Sequence, residues 1–399
     1  MNMVKALTVD VEKDGWDTSK GFVLRDVPMP TLNESHNPED KVSVILKIRY
    51  AGVCGSDRGL WYRTAFKELV HASLKNEQST LRINGHEFVG EVVEAGSMVD
   101  TLYSDRDLAS LLKIKKGSIV SGDSHITCGT CFQCRVGESH VCTNEKILGI
   151  STNGIFAEYV KIPAKNLWPI DVNVIRPEIA AILDPFGNAV HATTVTDFRG
   201  KIVAVFGCGP IGLFAILLAK NFGASLVIAV DVNEANLKMA GELGAHELIH
   251  IGTKEKKNPW EADQDVVSKI LKATNGLGVD VSMEMAGPFS SVNNALDSAR
   301  RGGHVILFGI KDGDLTIPSF SRIIVRGLTI HNVIGRRIFA TWQISQRVLA
   351  DMSNGIQEKI WNIILKKGQG TVIPFAEYDN DVFEKTLNAH PKVVFKING

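Results

Sequence analysis

Four of the six cysteines in this chain, Cys128, Cys131, Cys134 and Cys142, fall in one short window with the spacing C-x2-C-x2-C-x7-C. One loop can therefore present four thiolates at the corners of a tetrahedron, the geometry Zn2+ favours in a closed structural site. Metal held there would brace a loop rather than do chemistry, and a second, open metal site is then to be sought elsewhere. Two disulfides are the competing pairing, and they belong to oxidising compartments. The N-terminal run Met1–Val9 alternates like a strand and lacks the long apolar block and small-residue cleavage site of a signal peptide. No apolar run approaches the roughly 18 residues that span a bilayer. A cytoplasmic protein with reduced cysteines is the expectation. Acids and bases balance at 44 each, which speaks against a nucleic-acid or anionic-membrane partner, since such binding depends on cationic contacts.

With 399 residues the chain is long enough for two substantial domains. Residues 1–180 are rich in Gly and β-branched residues, and short alternating runs such as Val42–Tyr50 and Phe88–Glu94 read as strands of an irregular β-rich domain. The cysteine window makes a lobe of it at 124–145. Two polar stretches, Leu60–Asn84 and Val99–Lys116, read as surface insertions. The second is partly helical in pattern, with Leu108, Leu111 and Leu112 on one side. From 181 to 335 apolar runs alternate with helical periodicity: Lys201–Gly207, then Pro210–Phe222, Leu226–Val230, Asn233–Leu243, and further strands at Val279–Ala286, His304–Gly309 and Leu328–Ile334. That alternation predicts an α/β fold with a doubly wound parallel sheet. Residues 336–399 hold a helix near Thr341–Ser353 and a last strand at Lys392–Ile397, and are expected to return to the first domain.

Gly207-Cys208-Gly209-Pro210-Ile211-Gly212 follows a strand and opens a helix, which is G-x-G-x-x-G in its meaningful context. Gly207 permits the tight turn, Gly209 lets the backbone approach a pyrophosphate, and Gly212 allows close helix–strand packing. The helix N-terminus offers unpaired N–H groups to the phosphates. Asp231 ends the next strand. Its carboxylate would accept hydrogen bonds from ribose hydroxyls and repel a 2′-phosphate, so NAD is expected rather than NADP. Cys208 reads as a small packed residue. His246-Glu247-Leu248-Ile249-His250 matches H-E-x-x-H, but a metalloprotease needs that motif on a helix. Here it follows Gly244, which ends one, and reads as a strand that would not bring both His to a metal.

Two shorter motifs remain: Cys54-Gly55-Ser56-Asp57 in an early Gly-rich loop, and Gly85-His86-Glu87 just before a strand. Cys, His and carboxylate are all good Zn2+ ligands, and a catalytic zinc keeps one position for water or substrate. Each motif is feeble alone and gains weight from the other.

Together with the four-cysteine lobe and the late dinucleotide fingerprint, these motifs resemble the zinc-dependent medium-chain alcohol dehydrogenases over almost the whole chain. Three stretches are similar to the threonine dehydrogenase branch: Ser124–Gly129, Leu183–His191 and Gly335–Trp342. The resemblance implies a GroES-like β-rich catalytic domain joined to a Rossmann domain. It implies that Cys54, His86 and Glu87 bind the catalytic zinc, with Asp184 a fourth ligand or a neighbouring proton-relay carboxylate. Ser56 would hydrogen-bond the substrate hydroxyl and pass its proton outward, and His125 would lie near the substrate. Ile211, Asp231, Phe308-Gly309-Ile310 and Val333-Ile334 would line the NAD site. Relatives carry a His relay outlet where this chain has Gly59, and an Arg near the adenosine where it has Asn236. The implied reaction is NAD-dependent oxidation of a secondary alcohol, first of all L-threonine. Its ammonium and carboxylate would need partners, for which Glu87, Asp184, Arg58, Arg63 and Arg336 are candidates. A polyol or sugar dehydrogenase is the alternative, since Asp57-Arg58-Gly59 is also similar to glucose dehydrogenases. A noncatalytic NAD-binding scaffold is the other. The family also implies a homo-oligomer, a tetramer or dimer built through the Rossmann sheets.

Overall fold

Strand β3 (Ser43–Val53) is the longest among the described residues, and its run SVILKIRYAGV buries Val44, Ile45, Leu46, Ile48, Ala51 and Val53. β-branched and apolar side chains dominate its buried positions, while Lys47, Arg49 and Tyr50 are partly exposed. The computed structural model describes residues 2–102, 113–252 and 258–398. These form two compact units, Met1–Pro185 with Ile360–Gly399, and Phe186–Lys359. Among the described residues no helix is long and apolar enough to cross a membrane.

In the first unit, β1 (Met3–Asp10) lies antiparallel between β2 (Val23–Pro28) and β4 (Leu81–Ile83). The larger sheet is built around β3, which pairs antiparallel with β5 (Glu87–Ala95) on one side. Beyond β5 lie β6 (Ile119–Gly122) and β10 (Leu167–Pro169), and β9 (Tyr159–Pro163) also pairs with β3. A small hairpin, β7 (His125–Ile126) with β8 (Lys146–Ile147), carries the cysteine lobe between its strands. Helix α1 (Gly55–Trp61) follows β3 directly, and α2 (Lys67–Asn76) comes after it.

The stretch Leu60–Asn84 differs from the surface insertion expected. Leu60, Trp61, Val70 and Leu74 are buried in the main core with Trp16, Phe22, Phe88 and Phe156. Trp61 Nε1 donates to Tyr378 Oη at 3.0 Å, and Leu81–Ile83 completes a sheet. Polar residues of α2 such as Lys67, Glu68 and Lys75 lie outward, whereas Arg82 and Asn84 are buried, Arg82 bonding Ser73 and Glu77. In the second stretch, Val99 and Ile114 are buried, while the expected Leu108, Leu111 and Leu112 face lies outside the described residues.

The second unit is a six-stranded parallel sheet in the order β13-β12-β11-β14-β15-β16: β11 (Ile202–Phe206), β12 (Leu226–Asp231), β13 (Glu247–His250), β14 (Val279–Glu284), β15 (Ala299–Leu307) and β16 (Thr329–Asn332). β11 (IVAVF) and β12 (LVIAVD) are almost wholly apolar, as expected of strands buried on both faces, whereas β14 (VDVSME) carries polar residues among its apolar ones. The expected boundary at 335 is not where this unit ends. Arg336, Thr341, Trp342, Ser345 and Leu349 are buried, and Arg336 and Ser345 approach Gly187. Residues 336–359 therefore stay with the nucleotide-type unit, and the return begins at Ile360. That return supplies β17 (Val372–Pro374) and β18 (Val393–Lys396), with β18 antiparallel to β3.

Candidate functional site

Register, not sequence proximity, builds the first cluster. Gly52 of β3 faces Glu87 of β5, and Val53 faces Val393 of β18. Cys54, at the end of β3, is thereby brought beside His86 and Glu87, at the start of β5. One ligand atom from each of the three lies within 4.8 Å of the others. Gly52 is required by this approach, because a Cβ there would meet Glu87 Oε2 at 2.2 Å. Asp57, in the first turn of α1, is fully buried and accepts the Cys54 N–H through Oδ2 at 2.9 Å. Its Oδ1 stands 3.6 Å from His86 Nδ1. Ser56 Oγ lies 3.4 Å from His86 Nε2. Asp184, in the first turn of the helix Leu183–Thr194, is buried, and its Oδ2 accepts the Ser124 N–H at 3.4 Å.

Acidic groups surround His86 in this cluster. Burial by itself would lower the His86 pKa, but the Asp57 carboxylate first and Cys54 next reverse the sign and lift it to about 10. Burial drives the Glu87 carboxyl up, against the opposing pull of Lys392 and His86, and Asp184 adds to the rise. A thiol, an imidazole and a carboxylate converging in an anionic, desolvated pocket are the donor set of an open zinc site. The residues therefore fit a divalent cation. Asp184 is outside the group of atoms within 4.8 Å of one another, so its geometry here is that of a neighbour.

Lys392 had no signal in the sequence, where it reads as a polar residue at a strand start. Its side chain is buried. Nζ donates to Glu87 Oε1 at 2.7 Å and to the Val53 carbonyl at 2.8 Å, and it also pairs with Oε2. It joins the strands that carry Cys54 and Glu87.

The four lobe cysteines converge as expected. Cys142 Sγ lies 3.6 Å from Cys128 Sγ and 3.8 Å from Cys131 Sγ, and all four sulfurs are within 4.8 Å of one another. A tetrahedron with Zn–S bonds of about 2.3 Å has edges of about 3.8 Å, so the residues fit zinc. All are free thiols, which sets aside the disulfide alternative. Thr130, through its side chain and N–H, and Cys131 through its N–H, hold the Cys128 thiol down to about 5.

In the second unit the parallel strands place their C-terminal ends on one edge. Gly207–Gly209 follow β11, Asp231 ends β12, Phe308–Ile310 follow β15, and Val333–Ile334 follow β16. Gly207 has φ +96°, and a Cβ on Gly212 would meet the Gly207 carbonyl oxygen at 1.9 Å, whereas Gly209 faces open space within 4 Å. Gly207 thus makes the turn and Gly212 the close packing, while the space at Gly209 stays open. The helix Pro210–Asn221 begins there, with Ile211 half-buried in its first turn. Asp231 accepts the N–H groups of Cys208 and Asn233, tying the glycine turn to the acid. Gly309 has a packing reason of its own, since a Cβ would meet Gly287 N at 2.2 Å. Glu284 was missed: it is fully buried at the end of β14 and accepts from Ala286 N–H, Gly287 N–H and the Ser291 hydroxyl at 2.8–2.9 Å. It shapes the loop against which Gly309 packs.

Several candidates are occupied elsewhere. Arg58 donates to the Leu387 carbonyl and to Asn388 Oδ1, and Arg63 to the carbonyls of Leu60 and Gly21. Both are structural, which removes them as carboxylate partners for a substrate. Arg336 is buried in the second unit, with Nη1 3.4 Å from Asn188 Oδ1. His246 Nδ1 accepts the Val227 N–H, and His250 Nε2 pairs with the Val232 carbonyl on β13. His246 thus lies just before β13 and His250 at its end, and they form no metal cluster among the described residues. His125 Nδ1 pairs with Glu145 Oε2 at 2.7 Å.

Two family models match the chain: "Alcohol dehydrogenase GroES-like domain" over residues 40–172 and "Zinc-binding dehydrogenase" over residues 210–351. The chain is 37% identical over 350 residues to the L-threonine 3-dehydrogenase of Bacillus subtilis (strain 168), covering 86% of this chain and 87% of that one. It is 36% identical over 340 residues to the L-threonine 3-dehydrogenase of Caldanaerobacter subterraneus subsp. tengcongensis, covering 84% and 86%. Among solved structures, galactitol-1-phosphate dehydrogenase from Escherichia coli matches with TM-score 0.77 at 22% identity, over 98% of this chain and 100% of that one. An alcohol dehydrogenase from Thermus sp. ATN1 matches with TM-score 0.76 at 23% identity, over 99% and 100%. At these identities the two structures speak for the fold alone.

Proposed function

This chain belongs to the zinc-dependent medium-chain alcohol dehydrogenases and is an oxidoreductase acting on CH–OH groups; from that premise we propose that it oxidises L-threonine to 2-amino-3-oxobutanoate with NAD. The observation that carries the reading is the convergence of Cys54, His86 and Glu87 in a buried anionic pocket. The relatives named L-threonine 3-dehydrogenase support the substrate. The Asp231 carboxylate at the end of β12 supports NAD, because a 2′-phosphate would meet like charge.

Cys54, His86 and Glu87 would hold the catalytic zinc, with Asp184 beside them, and the four lobe cysteines would hold a structural one. When bound, the catalytic ion supplies Lewis acidity that lowers the pKa of a substrate hydroxyl, and NAD supplies the hydride acceptor. The rest falls to the chain. Ser56 Oγ, beside His86 Nε2, accepts the hydroxyl proton and hands it outward as hydride leaves the substrate carbon. Asp57 holds the Cys54 backbone and faces His86, and so orients two ligands at once. Gly59 offers no side chain for a relay, and a Cβ there would meet Ala65 Cβ at 2.8 Å. Water is therefore the carrier that takes the proton from Ser56, which is half-buried beside the exposed Gly55.

A homo-oligomer is also proposed. Edge strand β16 ends the sheet, and near it Phe320, Ile324 and Val325 are 60–70% exposed. An open edge beside apolar side chains favours pairing with a second copy. Ile324→Glu should shift the sedimenting species toward monomer, and a wild-type monomer at micromolar concentration would exclude the pairing. Reduced, closely spaced thiols support a cytoplasmic setting.

The decisive test is NADH formation from L-threonine, L-serine, sorbitol, 2,3-butanediol and glucose, with and without a chelator. Threonine should be preferred, and chelation should stop turnover. Oxidation of sorbitol or glucose in preference to threonine would overturn the substrate assignment, and failure to oxidise any alcohol would overturn the enzyme.

A further inference from the structure

The four-cysteine lobe is anchored at both ends by residues that meet each other. Its chain leaves the hairpin at Ile126, the end of β7, and re-enters at Lys146 in β8. His125 Nδ1, at the start of β7, and Glu145 Oε2, one residue before β8, are 2.7 Å apart, and both side chains are about one quarter exposed. The backbone under His125 is clamped from three directions. Its N–H donates to Asp123 Oδ1, its carbonyl accepts from Asn166 Nδ2 at 2.8 Å, and the preceding Ser124 N–H donates to Asp184. Asp184 in turn acts electrostatically on His86 and Glu87. His125 is thus one residue away from a group that borders the metal-type cluster. Arg58 and Arg63 are occupied by structural bonds, which leaves His125 and Glu145 as a partly open polar pair linked to the cluster through Ser124 and Asp184.

We propose that Glu145 is a positioning residue for His125, one that fixes its ring and tautomer so that Nε2 meets the polar head of a 2-amino-3-hydroxy acid. A carboxylate facing Nδ1 requires the proton on Nδ1. Nε2 has no hydrogen-bond partner among the described residues and is the ring atom left for a ligand. Both residues lie at the roots of the cysteine loop, three positions outside Cys128 and Cys142, so the metal-braced lobe sets their spacing. The lobe thereby acts on substrate affinity as well as on folding. This inference rests on the amino-alcohol reading of the site.

The test compares Glu145→Ala and Glu145→Gln in the zinc-loaded enzyme. Glu145→Ala should raise KM for L-threonine by roughly tenfold or more, as for loss of a hydrogen bond held by a charged group. The kcat, the KM for NAD and the KM for a plain secondary alcohol such as 2-butanol should be nearly unchanged. Glu145→Gln, whose amide oxygen still accepts from Nδ1–H, should recover much of the loss. Long-range 1H–15N spectra, with His125 assigned by a His125→Asn variant, should show the Nδ1–H tautomer in the wild type and a shift toward Nε2–H in Glu145→Ala. An unchanged tautomer, or equal loss with threonine and 2-butanol, would overturn the proposal. If the wild type oxidises no amino alcohol, the substrate reading fails first, and the tautomer spectra still judge the pair. Should Glu145→Ala lose lobe zinc or fail to fold, Glu145→Gln carries the test through its KM ratio and tautomer.

Discussion

Replacing Lys392 by Met isolates a buried ion pair that holds the candidate metal site together. Lys392 is 1% exposed and Glu87 is fully buried, and Nζ lies 2.7 Å from Oε1. At an effective dielectric of 20, unit charges at that distance attract by about 6 kcal/mol, and desolvation of both ions consumes much of it. Removing one partner nevertheless leaves the other charge buried alone, which costs about 3–5 kcal/mol. The hydrogen bond to the Val53 carbonyl is lost as well. Lys392→Met should therefore lower stability by about 3–5 kcal/mol, toward the small end when zinc shares the Glu87 charge. Lys392→Arg should lose less. The double variant Lys392→Met/Glu87→Gln should recover part of the loss, because no unpaired charge remains. Urea unfolding followed by fluorescence, with zinc content measured in parallel, reads all three. A single variant destabilised by less than about 1 kcal/mol, or a double variant no more stable than the single, would refute a coupled pair.

Other substitutions test separate parts. Cys54→Ser should abolish turnover while NAD affinity, measured by calorimetry, stays within about twofold of wild type; retained activity would refute the catalytic metal assignment. Asp231→Ala should weaken NAD by roughly tenfold and narrow its preference over NADP, through loss of the ribose contact and of the tie to Cys208 N–H; unchanged affinity would exclude that contact. Asp280 Oδ2 accepts the Ile202 N–H at 2.8 Å and Oδ1 faces Arg300 Nε at 2.7 Å. Burial would raise its pKa, but these bonds hold it below the usual carboxylate value. A depressed folded pKa gives stability that is present above about pH 4 and lost as pH falls through the folded value. Asp280→Asn should thus cost about 1–3 kcal/mol at pH 7, with the difference from wild type shrinking below pH 4. A constant difference down to pH 2 would contradict this.

Local pattern carried much of the architecture. The run IVAVF bounded by a glycine turn reads as a buried parallel strand whatever surrounds it, and the helix after it opens at Gly209-Pro210 as the motif demands. Four thiols in fifteen residues converge because a loop that short leaves them nowhere else to go. Asp231 is legible for the same reason, being placed by the strand and turn next to it. Leu60–Asn84 reads as a surface insertion because of its polar composition, while burial of Trp61 and Leu74, and of the polar Arg82 and Asn84, depends on strands far away in the chain. The boundary moved from 335 to 359 because the side chains of 336–349 pack within the second unit, and no local signal marks that.

The sequence by itself determined which residue types were available to bind zinc and NAD, and the short-range spacing of each motif. Only the tertiary structure decided their company. The register of β3 against β5 and β18 brings Cys54, His86, Glu87 and Lys392 together. It turns Lys392 into the buried counter-charge of a ligand. The physical reason is range: turns, caps and periodicity act over a few residues, whereas desolvation and charge pairing depend on what long-range strand pairing places next to each group.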